Sequence, residues 1–359
     1  MQTGRKGTAI TSKGHTRRAY LYAFLFGLPL TLTLGILGWP TVLGSIESDR
    51  SAVWGVDQDL IRETISEPVS RNHYPHRVIV HHQGHKRAAT IHYTFDAALQ
   101  AEMEAVLKAH RPDYGVFIAL DPDTGRVLAM TSHRRDREAN NNLALANTYP
   151  SASVFKLVTA AAAIDLGKAN AETVIPFNGK TTSLYRKNVL HHKNNQWTQR
   201  LPLRVSFAKS VNTVFGRLGL EEVGGSSLKQ YAERLGFNRE LSGDFYLPQS
   251  ATKFDSMDEW SIAEAASGYT RNNTLSPVHG ALLAAAIING GRILQPILVD
   301  SLTDDNGIML YVVDPTIMKP AIKLETTKQL EVMMRETVRS GSAQQNFKGF
   351  ARGNFADVE

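Results

Sequence analysis

The chain has 359 residues, 42% of them apolar, enough for one large or two ordinary domains with real cores, which argues against a disordered polypeptide. It contains no cysteine, so disulfides, thiolate catalysis and cysteine-bound zinc or iron–sulfur sites are excluded. The net charge is +6, and residues 1–18 hold Arg5, Lys6, Lys13, Arg17 and Arg18 without an acid. The basic balance is therefore largely a property of this tail, and no nucleic-acid partner is inferred.

After the basic tail (1–18), residues 19–43 read AYLYAFLFGLPLTLTLGILGWPTVL and carry no charge. A helix of that length rises about 37 Å, enough for a bilayer core of about 30 Å. Tyr20, Tyr22 and Trp39 lie near its ends, where aromatic rings favour the interface, and the segment is expected to anchor the chain in a lipid bilayer. No small-x-small cleavage site follows it. The basic flank predicts a cytoplasmic N-terminus and places everything after it on the outer side.

Residues 44–90 are polar and mixed, and are expected to form a linker or small extended region. Its histidines, His73, His76, His81, His82 and His85, come with few carboxylates, and adjacent strand residues face opposite ways, so no metal site is expected. From residue 91 the pattern becomes regular. Asp96 can cap a helix AALQAEMEAVLKAH with Leu99, Met103, Val106 and Leu107 on one side, stopped by Pro112. The runs YGVFIAL (114–120) and RVLAMTS (126–132) flank the turn DPDTG and predict a β-hairpin. SVFKLVTAAAAIDL (153–166) is a strong helix pattern with Gly167 suited to its C-terminal cap, and ALLAAAII (281–288) predicts another buried helix. The fold class expected for residues 91–359 is α+β, an antiparallel sheet with a helical subdomain.

Ser-x-x-Lys places a hydroxyl and an amine one helical turn apart on one face. A buried lysine loses its charge readily and can then accept the serine proton, while a helix N-terminus suits an oxyanion. The spacing alone is a poor signal: it occurs as Ser153/Lys156, Ser206/Lys209, Ser226/Lys229 and Ser250/Lys253, where composition predicts on the order of one. Ser226 follows two glycines and reads as a helix cap, Ser250 lies in a polar loop, and Ser206 has no start signal of its own. Only Ser153 heads an apolar helix behind a proline turn. Ser210-Val211-Asn212 adds a second hydroxyl able to relay a proton and an amide able to hold a peptide group; a turn or cap is the plain alternative.

The order Ser-x-x-Lys then Ser-x-Asn resembles that of penicillin-binding proteins and serine β-lactamases. YTFDAALQ, IALDPDTGRVLAMTS, PSASVFKLVTAAAAID, SFAKSVNTVFGRLGLEEVG and SPVHGALLAAAIINGGRILQP together resemble the transpeptidase domain of penicillin-binding proteins across nearly all of residues 91–345. The resemblance implies Ser153 as the acylated residue, Lys156 as its base, Ser210 as proton relay and Asn212 as substrate binder. It implies no metal or organic cofactor, peptidoglycan stem peptides ending in D-Ala-D-Ala as substrate, and β-lactams as covalent inhibitors. A bacterial inner membrane, with the catalytic domain on the periplasmic or extracytoplasmic side, and other cell-wall synthesis proteins as further partners are also expected.

One departure stands out. The family's third element, Lys-Thr/Ser-Gly on an edge strand, does not occur in the sequence. Gly179-Lys180-Thr181-Thr182 precedes Ser210 and has Thr182 where glycine is needed, so it reads as a loop. The helix and glycine segment LEVMMRETVRSGSA (330–343) resembles what precedes the missing element. The expectation is a monofunctional D,D-transpeptidase domain that is C-terminally incomplete and impaired as given. A D,D-carboxypeptidase, β-lactamase or β-lactam sensor is the nearest alternative. A non-catalytic scaffold of a cell-wall synthesis complex is the alternative from another class.

Overall fold

The structure, a computed structural model, describes residues 55–82, 84–135, 141–316 and 318–348. The expected membrane segment at 19–43 lies outside them, and among the described residues no helix is long and apolar enough to cross a membrane. The elements in chain order are α1 (Gln58–Ser70), β1 (Arg77–His82), β2 (His85–Tyr93), α2 (Ala97–His110), β3 (Tyr114–Leu120) and β4 (Val127–Arg134). There follow α3 (Phe155–Asp165), α4 (Arg186–Leu190), α5 (Leu203–Ala208), α6 (Asn212–Arg217), α7 (Gly225–Arg234), α8 (Glu259–Ser267) and α9 (Pro277–Ile288). The chain then forms β5 (Val299–Asp304), β6 (Met309–Val312) and α10 (Leu324–Arg339).

Strands β1, β2, β5 and β6 make one antiparallel sheet in that order, and β3 with β4 makes a separate antiparallel hairpin. The mixture of helices with antiparallel sheet is the expected class. Within the segment expected as a linker at 44–90, residues 58–90 form a helix and most of a β-hairpin. Asp57 caps α1 by accepting a hydrogen bond from Leu60 N, and the helix buries Ile61, Ile65 and Val69. These recur every four residues, one stripe of a helix, in a segment whose overall composition is polar. Val80, Ala89 and Ile91 of the first hairpin are buried as well, so this region joins the core instead of spanning solvent.

Asp96 caps α2 as its position predicts, accepting from Ala98 N and Leu99 N. No residue of α2 is fully buried, but Leu99, Met103 and Leu107 of the predicted apolar face are half-buried. The tie of α2 to β4 is polar: the Gln100 carboxamide accepts from Met130 N and donates to Met130 O, as a neighbouring strand would. The predicted helix at 281–288 begins earlier, at Pro277, with Ser276 as N-cap, the arrangement a proline at the first helical position favours.

Besides a small cluster of Leu184, Val189 and Ala263, two large apolar clusters divide the core of the described residues. One surrounds α3 and includes Phe155, Phe177, Phe215 and Phe237; the other lies against the four-stranded sheet and includes Val80, Ile91, Phe245 and Leu302. Helix α3 is buried on nearly every side, and its run of alanines at 160–163 lets neighbouring helices approach closely. A helix wrapped in this way has a fixed N-terminus, which is the property that matters for the site.

Candidate active site

The chain reaches α3 through a clamped approach. Ser151 N donates to Asn273 O at 2.7 Å, and Leu275 N donates to Tyr149 O at 2.9 Å. Ala152 is held in the left-handed region at φ 45°. Residues Ala152–Val154 form a 3-10 turn that runs directly into α3. Side chains three apart eclipse in such a turn, so Lys156 stands behind Ser153. Ser153 itself is exposed, while Lys156 is 1% exposed.

Lys156 Nζ lies 2.8 Å from Ser153 Oγ, 2.7 Å from Asn212 Oδ1 and 2.7 Å from the Ser267 carbonyl oxygen. Burial pushes its pKa down to about 7, because the low-dielectric surroundings disfavour the ammonium. Three acceptors match the three ammonium protons, and on deprotonation the freed lone pair faces Ser153.

Ser210 Oγ lies 2.8 Å from Ser153 Oγ. Ser210 occupies the left-handed region at φ 54°, in a tight turn between α5 and α6 where Ser210 N donates to Phe207 O and Val211 N to Ser206 O. Asn212 is the first residue of α6. Its backbone N donates to Thr181 O and its Nδ2 to Thr182 O, each at 2.8 Å. The loop at 179–182 is thus a structural support, since its carbonyls fix the carboxamide whose oxygen faces Lys156.

The structure therefore links Ser210, Ser153, Lys156 and Asn212, in that order, through one chain of side-chain hydrogen bonds. Asn212, expected as a substrate binder, here engages Lys156 and Thr182. The other Ser-x-x-Lys pairs lie elsewhere in the fold. Ser206 is buried within α5. Ser250 Oγ accepts from Ser276 N. Ser226 lies inside α7, whose N-cap is Gly224. The carbonyls of Thr181, Thr182 and Ser267 are not foreseeable from the sequence, since a backbone oxygen carries no residue-type signal. Among the described residues no group of histidines and carboxylates is arranged to hold a metal ion.

A hydroxyl at an exposed helix start, a desolvated amine behind it and a second hydroxyl beside it make a site capable of serine acyl transfer. The amine can take the Ser153 proton, the helix N-terminus favours a developing oxyanion, and Ser210 can carry a proton toward a leaving group. This is the chemistry of the serine–lysine acyltransferase class on an α+β scaffold. The chain belongs to the family described as the penicillin-binding protein transpeptidase domain, whose sequence profile matches residues 115–353.

Curated relatives agree. The chain is 28% identical over 220 residues to a protein named peptidoglycan D,D-transpeptidase PbpA from Mycobacterium tuberculosis (strain H37Rv), covering 53% of this chain and 44% of that protein. It is 24% identical over 269 residues to stage V sporulation protein D of Bacillus subtilis (strain 168), covering 71% of this chain and 41% of that protein. The match thus spans less than half the length of these relatives. Among solved structures, the D,D-transpeptidase domain of a peptidoglycan glycosyltransferase from Eggerthella lenta aligns with a TM-score of 0.58 at 27% identity, covering 70% of this chain and 67% of that one. Penicillin-binding protein A from M. tuberculosis, as its ceftriaxone acyl-enzyme complex, shares the fold with a TM-score of 0.57 at 24% identity, covering 70% of this chain and 63% of that one.

Proposed function

We propose that this chain carries the acylation machinery of a peptidoglycan D,D-transpeptidase. The observation that carries the reading is the buried Lys156 amine 2.8 Å from the exposed Ser153 hydroxyl, in a chain of the penicillin-binding family. Ser153 Oγ attacks the penultimate carbonyl of a stem peptide ending in D-Ala-D-Ala as its proton moves to neutral Lys156. The tetrahedral intermediate collapses, the C–N bond breaks, and D-alanine leaves after receiving a proton through Ser210. The amine of a neighbouring stem then attacks the acyl-enzyme, restoring Ser153 and forming the cross-link. β-Lactams acylate Ser153 as substrate mimics.

Asn212 serves first as a positioning residue for Lys156 and keeps one Nδ2 proton for a substrate peptide group. Because no Lys-Thr/Ser-Gly tripeptide occurs in the sequence, acylation of the 359-residue chain is proposed to be slow. Loss of one oxyanion donor alone costs about 10²–10³ in rate. Residues 19–43 are proposed to anchor the chain in the membrane, with the domain on the extracytoplasmic side.

The test is labelling of the purified chain with a fluorescent penicillin beside Ser153→Ala. Label that disappears in the variant supports the reading. Label retained in Ser153→Ala overturns it in favour of another nucleophile, and label absent from the wild-type chain after prolonged exposure at millimolar penicillin overturns it in favour of a scaffold role.

A further inference from the structure

The end of helix α8 lies directly against the approach to α3. Helix α8 ends at Ser267, and Gly268 caps it in the left-handed region at φ 68°. Gly268 N donates to Ala265 O and Tyr269 N to Glu264 O, so the helix stops sharply there. A Cβ on Gly268 would overlap the Ala152 carbonyl oxygen, far inside contact distance, and would lie 3.2 Å from Ser153 N. The end of α8 therefore rests on the peptide that joins Ala152 to Ser153.

We infer that Gly268 is a positioning residue for the nucleophile: its missing side chain lets the end of α8 seat on the Ala152–Ser153 peptide while the adjacent Ser267 carbonyl holds Lys156. The inference rests on the proposed Ser153 acylation. Two facing contacts support it. Ser267 O accepts from Lys156 Nζ at 2.7 Å, so one residue's carbonyl and the next residue's Cα grip the two halves of the Ser153/Lys156 pair. Ala152 meets this contact at φ 45°, a conformation that costs an L-residue energy and persists only where its surroundings impose it. Segment 273–275, hydrogen-bonded to 149–151, closes the other side of the approach. Moving the end of α8 outward would carry the Ser267 carbonyl off the amine and admit water beside Lys156.

Left-handed glycines always resist substitution, so a matched control is needed. Gly167, just past the end of α3, has φ 70° and no atom within 4 Å of a built Cβ. Gly167→Ala carries the same backbone strain without the overlap. Both alanine variants should lose a few degrees of melting temperature. Gly268→Ala alone should lose at least a hundredfold in the rate constant of penicillin acylation, with pre-covalent binding affinity within threefold of wild type. The Lys156 titration, followed by ¹³Cε-lysine NMR and assigned with Lys156→Arg, should move up by at least half a pH unit in Gly268→Ala and stay put in Gly167→Ala. The NMR arm remains decisive if wild-type chain takes no penicillin, an outcome that sinks the proposed function but not the seating of Gly268. If Gly268→Ala does not fold, it is placed in an Ala152→Gly background, where the freed backbone can move its carbonyl aside, and compared with Ala152→Gly alone. A Lys156 midpoint and acylation rate unchanged by the added alanine overturn the inference.

Discussion

Asn212 Oδ1 stands 2.7 Å from Lys156 Nζ, and the opposite end of the same carboxamide donates to Thr182 O. The amide is therefore oriented by the loop and cannot flip without losing both bonds. A neutral acceptor at this place tolerates both protonation states of the lysine. A carboxylate would not. Asn212→Asp should raise the Lys156 pKa by about 1–3 units through its adjacent charge. The acylation pH profile should shift up by the same amount, read from stopped-flow labelling across pH 5–10. An unshifted profile would remove Lys156 as the base.

In the wild-type chain, acylation should rise with pH through about 7, since only the neutral amine accepts the Ser153 proton. The same shift has a stability consequence. The folded pKa of Lys156 lies below its ordinary 10.5, so between about 7 and 10.5 the unfolded chain binds more protons. Its contribution is complete above the unfolded value and is lost as pH falls through the folded one. Lys156→Met should flatten the difference in urea stability across that window.

Ser210→Ala leaves Ser153 and Lys156 in place and removes the hydroxyl 2.8 Å from Ser153 Oγ. Acylation should fall by about 10²–10⁴, the usual worth of a positioned proton carrier. Gel labelling over time measures it, and the melting temperature should stay within about 2 °C, since the lost bond is exposed.

His279 lies beneath α7, its ring tilted against Phe237 at 4.9 Å between centroids and its Nε2–H donated to Leu235 O. Burial pushes its pKa down to about 4. A depressed folded pKa means stability that is present above the unfolded value near 6.5 and lost as pH falls through 4. The loss amounts to about 3 kcal/mol. Comparing the acid limb of thermal unfolding with that of His279→Gln should show the variant losing less stability between pH 6.5 and 4.

Asp165 closes the far end of α3. It accepts from Lys323 N, Thr326 Oγ1 and Tyr231 OH, tying α3 to α10 and α7. Burial works to raise its pKa, but these donors outweigh it and hold the carboxyl below the usual range. Asp165→Ala strands three donors, two of them buried, and should cost about 3 kcal/mol in urea unfolding. A cost below about 1 kcal/mol would mean that water replaces the carboxylate freely.

Much of the fold is legible in the sequence. Asp96, Gly167 and the DPDTG turn announce local geometry because caps and turns depend on residue type within a few positions. Ser153 stands out from three other Ser-x-x-Lys pairs through the apolar helix it heads. Residues 58–93 are not legible as core, because Ile61, Ile65 and Val69 form a narrow stripe in a polar segment. Burial of such a stripe depends on a sheet completed by strands more than 200 residues later.

The amino-acid sequence by itself determined the helix headed by Ser153, the β3–β4 hairpin and the order of the Ser-x-x-Lys and Ser-x-Asn elements, since these rest on short-range periodicity and residue chemistry. Tertiary structure alone decided how the lysine is buried and held. The Ser267 carbonyl, the Thr181 and Thr182 carbonyls and the bare Cα of Gly268 come from segments distant in the chain. Backbone atoms are the same at every position, so only their placement in space could assign them a role.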